Sequence, residues 1–415
     1  MDNKSRKLVG LVACGSELYR KYLLEQMSSQ YDVWLFLAED VSWQQPYIKG
    51  VSRISDYSNE SLRKAVEDVI DTELLSGLVC WDERYIIATA DVATTLGFPS
   101  AGIQGIRGCR DKALSRQLIS DAGLQQPACK LCLTVTDALS FACEVGYPLV
   151  VKPRGMGGSI GVALVSDADQ LSARFSESFT VSSEGADDFK DSVLVEEYLT
   201  GPEISVDGYC INGRYQHMFI ARKNVGMHPH FEEIGHVVDS NDPLLKDSNL
   251  ISVLEQAHRA IAFENGITHT ELKITPKGYV IVEINGRLGG DLIPYLASLA
   301  TGIKPGIVAA RVACSEQIDI ECSNDLVAVI EFKYPDTDIH VSEIVIPARV
   351  ANLRQVQCVT LAAANTFLAL PPTAYMSRAA FVIAVDKKIE NAQRLVESII
   401  DEVKIVPSAK SVTIN

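Results

Sequence analysis

Residues 269–287 read HTELKITPKGYVIVEINGR, two runs in which apolar and polar residues alternate, joined by Pro-Lys-Gly. Alternation with period two is the mark of a half-buried strand, and a short Gly-containing joint between two such runs is the mark of a hairpin. This pattern constrains the chain more than any other, because the register of a hairpin decides every neighbour across it. A three-residue loop predicts Thr275 opposite Tyr279, Lys273 opposite Ile281 and Glu271 opposite Glu283. Leu272, Ile274, Val280, Val282 and Ile284 then share the buried face. Glu283, Asn285 and Arg287 share the other face, and the row ends in Gly289 and Gly290.

Two carboxylates directly opposite one another destabilise a sheet. They persist where a cation lies between them or where one keeps its proton. One reading is a divalent ion: two carboxylates and the Asn285 amide oxygen are hard donors of the kind Mg²⁺ takes, with phosphate oxygens and water completing its shell. The other is a surface charge ladder in which Lys273 and Arg287 neutralise the two acids. The hairpin alone leaves both open.

At 415 residues the chain is long enough for two or three domains with buried cores, and 47% hydrophobic with 22% charged residues is ordinary globular composition. A net charge of −15 argues against general affinity for nucleic acid or an anionic membrane surface. No apolar run reaches the roughly 20 uncharged residues of a membrane helix, and the N-terminus reads as a first strand rather than a signal sequence, so the cytoplasm is the expected location. The ten cysteines form no framework, and the single CxxC of Cys129 and Cys132 lacks a second pair, so it reads as structural.

The first hundred residues alternate strand-like runs (KLVGLVAC, YDVWLFLAE, LSGLVCWDE) with helix-like ones (SELYRKYLLEQMSS, NESLRKAVEDVIDT), which predicts a parallel sheet flanked by helices. The first turn carries CGSE, with no dinucleotide fingerprint. A helix opened by Asp111 and closed at Gly123 follows, and 166–192 reads as a solvated helix and loop.

Two further stretches carry chemistry. YPLVVKPRGMGGSIGVALV is two strands around a glycine-rich loop containing Ser159, with Lys152 at its base. Such a loop either cradles phosphate through its N–H groups or is simply a flexible turn, and it is not a Walker loop because its Lys precedes the glycines. SVLVEEYLTGPEISVDGYC is a strand ending in two acids, with Glu203 beyond the turn.

Lys112, then VVKPRGMGGSIGV, VLVEEYLTGPE, HTELK and VEINGR, in that order, resemble the ATP-grasp superfamily over about residues 105–305. The resemblance implies a multidomain α/β and α+β chain: an N-terminal Rossmann-like parallel α/β domain over 1–108, a small ATP-grasp subdomain over 109–195, a large one over 196–325 and a C-terminal α+β extension over 326–415. It implies ATP as ligand, with Lys112 and Lys152 on the α- and β-phosphates, Ser159 in the closing loop, Glu196 and the backbone of Glu197 to Leu199 reading adenine, Glu203 on the ribose and Lys223 toward the γ-phosphate. Glu271, Glu283 and Asn285 would hold Mg²⁺ or Mn²⁺, and Arg287 would steady the transferred phosphate and the oxyanion. FEEIGH followed by NGRLGGDLIPYL resembles the carboxylate–amine ligases that join amino acids, including dipeptide ligases of antibiotic biosynthesis. On that resemblance Glu233 and His236 contact amino-acid-like substrates, with a hydrogen-bonded loop histidine as the competing reading of His236. Gly289 and Gly290 would offer amides to an acyl phosphate, and Asp291 would limit the acyl pocket. The expected partners are small molecules, with a homodimer common in the family. A formyl- or carboxyl-transferring enzyme of purine or one-carbon metabolism, and a nucleotide-binding module without turnover, are the alternatives.

Overall fold

The computed structural model describes residues 6–183 and 189–408. Its first unit is a parallel sheet of four strands in the order Gly50–Arg53, Asp32–Leu37, Leu8–Val12, Leu75–Cys80. Three of these strands and the helices Glu17–Gln30 and Asn59–Ile70 follow the predicted alternation. The fourth, Gly50–Arg53, is a short edge strand with no fully buried residue, so its apolar signal is weak.

Helix Lys112–Asp121 starts as its sequence predicts, because the Asp111 carboxylate accepts from the N–H groups of Ala113 and Leu114. It leads into a four-stranded antiparallel sheet ordered Cys129–Cys132, Val193–Glu197, Leu149–Pro153, Ala163–Val165. The CxxC lies along the first of these strands, and all ten cysteines are free thiols. Helix Ala168–Ser183 is not simply solvated: it buries Leu171 and Phe175 against this sheet, while part of the loop expected after it lies outside the described residues.

The largest sheet has eight antiparallel strands, from Gly278–Asn285 at one edge through Gly266–Thr275, Glu203–Ile211, Arg214–Gly226, Glu232–Asp239, Val327–Lys333 and Ala380–Asp386 to Val356–Thr360. Strands beyond residue 326 thus extend the same sheet. One core cluster joins Leu11 and Leu35 of the parallel sheet to Phe219 and Ile330 of the large one. Helix Pro305–Ala313 sits between them, and the absence of a side chain at Gly306 is what lets it approach helix Glu17–Gln30, since a Cβ there would lie 2.2 Å from the Leu23 carbonyl. No single helix is long and apolar enough to cross a membrane among the described residues.

The opening hairpin forms, with a different register from the one expected. Thr275 pairs with Gly278 across a two-residue loop, and Lys273 pairs with Val280, not Ile281. A bulge between Glu271 and Leu272 on one side and Glu283 and Ile281 on the other inserts Val282 and restores Glu271 opposite Glu283. The shorter loop and the bulge offset one another. In consequence Ile281 joins Ile284 in the core, where Ile284 was expected, while Val282, also expected there, turns to a cavity wall.

Candidate functional site

The connecting segment after Glu197 carries the chain from the four-stranded sheet to the eight-stranded one, and a cavity of about 830 Å³ lies between them. Ten residues singled out from the sequence line it: Lys112, Lys152, Ser159, Glu196, Glu197, Leu199, Glu203, Glu233, Glu271 and Glu283. Apolar walls come from Val150, Val162, Phe231 and Val282, so the cavity offers faces for a flat ring alongside its charged groups.

Glu196 is buried between Arg116, whose Nε reaches it at 2.6 Å, and Lys152 at 2.5 Å. Burial alone would push its carboxyl up; the two cations outweigh that and bring it down to about 2. Burial pushes the Lys152 ammonium below its ordinary value, with Glu196 opposing. The Glu196 side chain is therefore committed within the protein, and the N–H groups of Glu197 and Tyr198 donate to the carbonyls of Ala128 and Pro148. Leu199 is the first hinge residue past that pairing.

Glu271 and Glu283 face each other, and each has its own ammonium. Lys223 lies 2.9 Å from Glu271, and Lys112 lies 2.8 Å from Glu283. Lys273 instead pairs with Glu203 at 3.1 Å, and Arg287 with Glu83, so the charge-ladder reading of these acids does not hold. No ion is needed between them in the protein alone. Their hard oxygens on the wall of a charged cavity still suit Mg²⁺ that arrives with phosphate, and Asn285, buried and in register with His269, is one step along the same strand.

Lys223 does not line this cavity. It is 2% exposed and sits beneath it, 2.8 Å from Glu203, 2.7 Å from Glu233 and 2.9 Å from Glu271. Burial would push its ammonium down, but the three carboxylates hold it well above the ordinary value. A γ-phosphate cannot displace three bound acids from so enclosed a cation without breaking the wall, so Lys223 orders Glu203, Glu233 and Glu271.

A second cavity, about 1080 Å³, adjoins the first and shares Gly158, Ser159, Glu233 and Glu271 with it. The helix and loops that follow the N-terminal strands contribute the Gly15, Arg20 and Trp81–Arg84 wall; Arg287, Gly290 and Asp291 follow the hairpin; Met376 and Arg378 come from the C-terminal part. Gly289 turns away: its amide donates to Asp207 at 2.8 Å, and a Cβ would lie 2.8 Å from the His269 ring. Only Gly290 of the pair faces the cavity. His236 is buried on a strand, not in a loop, and its Nε2 lies 3.2 Å from Glu233 and 3.5 Å from Asp291. Burial lowers its pKa and the two acids raise it further, so it bears on these acids from behind and lines neither cavity.

Four residues that organise the site escaped the sequence reading. Glu83 holds both Arg287 and, at 2.8 Å, Arg110. Arg378 grips Asp291 with both terminal nitrogens at 2.7 and 2.6 Å. Arg116 follows Lys112 by four positions on one helix, a spacing that puts both on one face and would have found it. Glu83, Arg110 and Arg378 carry no such local signal.

Residues 145–295 match the family model described as an ATP-grasp domain. The chain is 26% identical over 333 residues to an uncharacterized protein of Sinorhizobium fredii, covering 78% of this chain and 68% of that one. It is 26% identical over 262 residues to the alanine–anticapsin ligase of Bacillus amyloliquefaciens, covering 58% of this chain and 54% of the ligase. It therefore spans about half the length of the curated ligases it matches. The L-amino acid ligase from Bacillus licheniformis has the same fold, with a TM-score of 0.81 over 98% of this chain and 100% of that one, at 19% identity.

Proposed function

Since residues 145–295 are an ATP-grasp domain within an ATP-grasp fold, we propose that the protein is an ATP-dependent carboxylate–amine ligase joining two amino-acid-like substrates. The observation that carries this reading is the junction of the two cavities at Gly158, Ser159, Glu233 and Glu271, where the end of a triphosphate in one would meet a substrate in the other. The substrate carboxylate attacks the γ-phosphorus and ADP leaves. The second substrate's amine then attacks the carbonyl of the acyl phosphate, phosphate leaves, and an amide remains.

Alignment and charge neutralisation do this work, and no protein nucleophile is required. Lys112 and Lys152 face the α- and β-phosphates, the segment to Leu199 borders adenine, and Glu203 borders the ribose. Glu271, Glu283 and Asn285 would hold Mg²⁺, which would supply positive charge to the phosphate oxygens. Arg287, fixed by Glu83, stands where charge builds on the transferred phosphoryl group and the tetrahedral oxyanion. The loop around Ser159 excludes water from the acyl phosphate.

The length and domain plan resemble dapdiamide synthase, which joins an acylated diaminopropionate to an apolar branched amino acid, so pairs of that kind head the substrate panel. The test is mass spectrometry and ADP release with ATP, Mg²⁺ and mixed L-amino acids and acylated amino acids. An amide product with equimolar ADP is expected. ADP release that needs formate or bicarbonate would move the protein to another branch, and no release with any pair would leave a binding module.

A further inference from the structure

Four arginines line the second cavity: Arg20, Arg84, Arg287 and Arg378. Three are already answered. Arg84 lies 2.7 Å from Asp82, Arg287 pairs with Glu83, and Arg378 lies 2.6 Å from Asp291. Arg20 differs: its Nη1 donates to the Gly289 carbonyl at 3.1 Å, and among the described residues no carboxylate stands within ion-pairing distance.

The surroundings make an unanswered cation costly there. Arg20 is in the first turn of helix Glu17–Gln30, its N–H donating to the Ser16 carbonyl at 3.0 Å, and the positive end of a helix dipole disfavours a cation. Burial pushes its guanidinium below the ordinary value and the neighbouring Arg287 adds to the effect, while Tyr22 and the more distant Asp82 and Asp207 oppose it only in part. The turn is nevertheless shaped around this side chain. Gly15, on the cavity wall, holds φ at +74°, and a Cβ there would lie 2.9 Å from Arg20 Cγ. The site also lies at the carboxyl end of the first parallel strand, where open α/β sheets take ligands.

We propose that Arg20 is the anchor for a substrate carboxylate that survives the reaction, the α-carboxylate of the amine-donating amino acid. This rests on the ligase reading. The carboxylate to be phosphorylated must reach the junction at Gly158, Ser159, Glu233 and Glu271, and Arg20 is not part of that junction. A second carboxylate would take the free nitrogens of the guanidinium as a fork and lie near the helix N-terminus, relieving both costs together.

Binding is read first, without turnover. An equimolar mixture of L-amino acids is screened against the full chain with ADP and Mg²⁺ by saturation-transfer NMR, and the best binder is titrated beside its carboxamide. The carboxamide should bind about tenfold to a hundredfold more weakly, the range for a lost hydrogen bond to a charged group. Arg20→Met should weaken the acid by the same factor and leave the carboxamide unchanged, while Arg20→Lys should fall between and show that the cavity still folds. Equal affinity of acid and carboxamide for the unaltered protein, an unchanged ratio in Arg20→Met, or no amino acid bound at all would overturn the assignment. ADP release tests the ligase reading separately. Carboxylate-dependent binding without release sinks that reading alone, and release with the carboxamide as good as the acid sinks this one alone.

Discussion

The two cavities meet at one loop but are built in opposite ways. The nucleotide-sized one lies between two sheets that follow each other in the chain, and its charged wall comes from strands adjacent in a single sheet: Glu203, Glu271 and Glu283 stand on three neighbouring strands. The other is assembled from residues as far apart as Arg20 and Arg378. Their charges also differ in role. On the first wall, Lys112 and Lys152 line the cavity as largely enclosed ammoniums, each paired there with one acid, Glu283 and Glu196. Around the second, Arg287 is tied to Glu83 and the Leu288 carbonyl, and Arg378 to Asp291, Tyr334 and the Glu233 carbonyl. Removing a guanidinium tied at several points strands its acid, whereas removing Glu283 leaves Lys112 the Met156 carbonyl and the cavity. The first wall should therefore fail in turnover and the second in stability.

The largest effect expected is on the first wall. Glu283→Ala should lower ADP formation about a thousandfold or more if, as proposed, Glu283 places charge at the transferring phosphoryl group. Its denaturation midpoint should stay close to that of the unaltered protein, since Lys112 remains in contact with the open cavity. Turnover near the original rate would remove Glu283 from the metal set. On the second wall the pattern reverses. Arg378→Met strands the Asp291 carboxylate, which its partner holds well below the usual carboxylate range against burial, and should cost about 3–5 kcal/mol in urea unfolding. Adding Asp291→Asn should recover most of that; no recovery would mean that Arg378 matters for its packing on Phe332 rather than its charge.

The same contrast decides what was legible in the sequence. Alternation made the hairpin readable, but Glu271 faces Glu283 only because the bulge at Val282 offsets the shorter loop that moved Lys273, and neither the loop length nor the bulge was legible. The loop around Ser159 and the strand before Leu199 were readable for the same reason: each is a local unit. Glu83 and Arg378 were not, because nothing near them in the chain distinguishes a buried ion pair from a surface charge until the domains pack. Gly289 shows the limit within a local motif. Two adjacent glycines look alike in sequence, and only the Asp207 carboxylate, on another strand, decides which amide stays free.

Arg287 tests the boundary between the two patterns, since it faces the second cavity and, on the proposed mechanism, serves the reaction of the first. Arg287→Ala should lower kcat by about a hundredfold to a thousandfold, with little change in the KM for ATP. Stability should fall less than in Arg378→Met, because Glu83 keeps Arg110 at 2.8 Å. A rise in the KM for ATP at unchanged kcat would make Arg287 a nucleotide contact instead.

The smallest effect is expected away from both cavities, at an acid whose neighbours are acids. Glu331 lies on strand Val327–Lys333, half-buried under the helix Ile389–Ile400, with Glu397 and Asp401 nearby. Burial, and then those two charges, push its carboxyl up to about 7. A carboxyl raised in the folded state costs nothing while it is protonated in both states, below its unfolded value near 4.5; as pH rises through about 7 the folded form must ionise against its surroundings and stability is lost. Glu331→Gln cannot ionise, so it should match the unaltered protein near pH 4.5 and exceed it at pH 8 by about 1–2 kcal/mol, a figure discounted for partial solvent screening. Urea unfolding at the two pH values measures the difference. Because Glu331 touches neither cavity, ADP formation should not change, and a loss of turnover in this variant would mean that the C-terminal strands carry strain into the site. Equal stabilisation at both pH values would mean that the gain comes from packing, and the contrast between paired and unpaired buried charges would then no longer explain where this fold is robust.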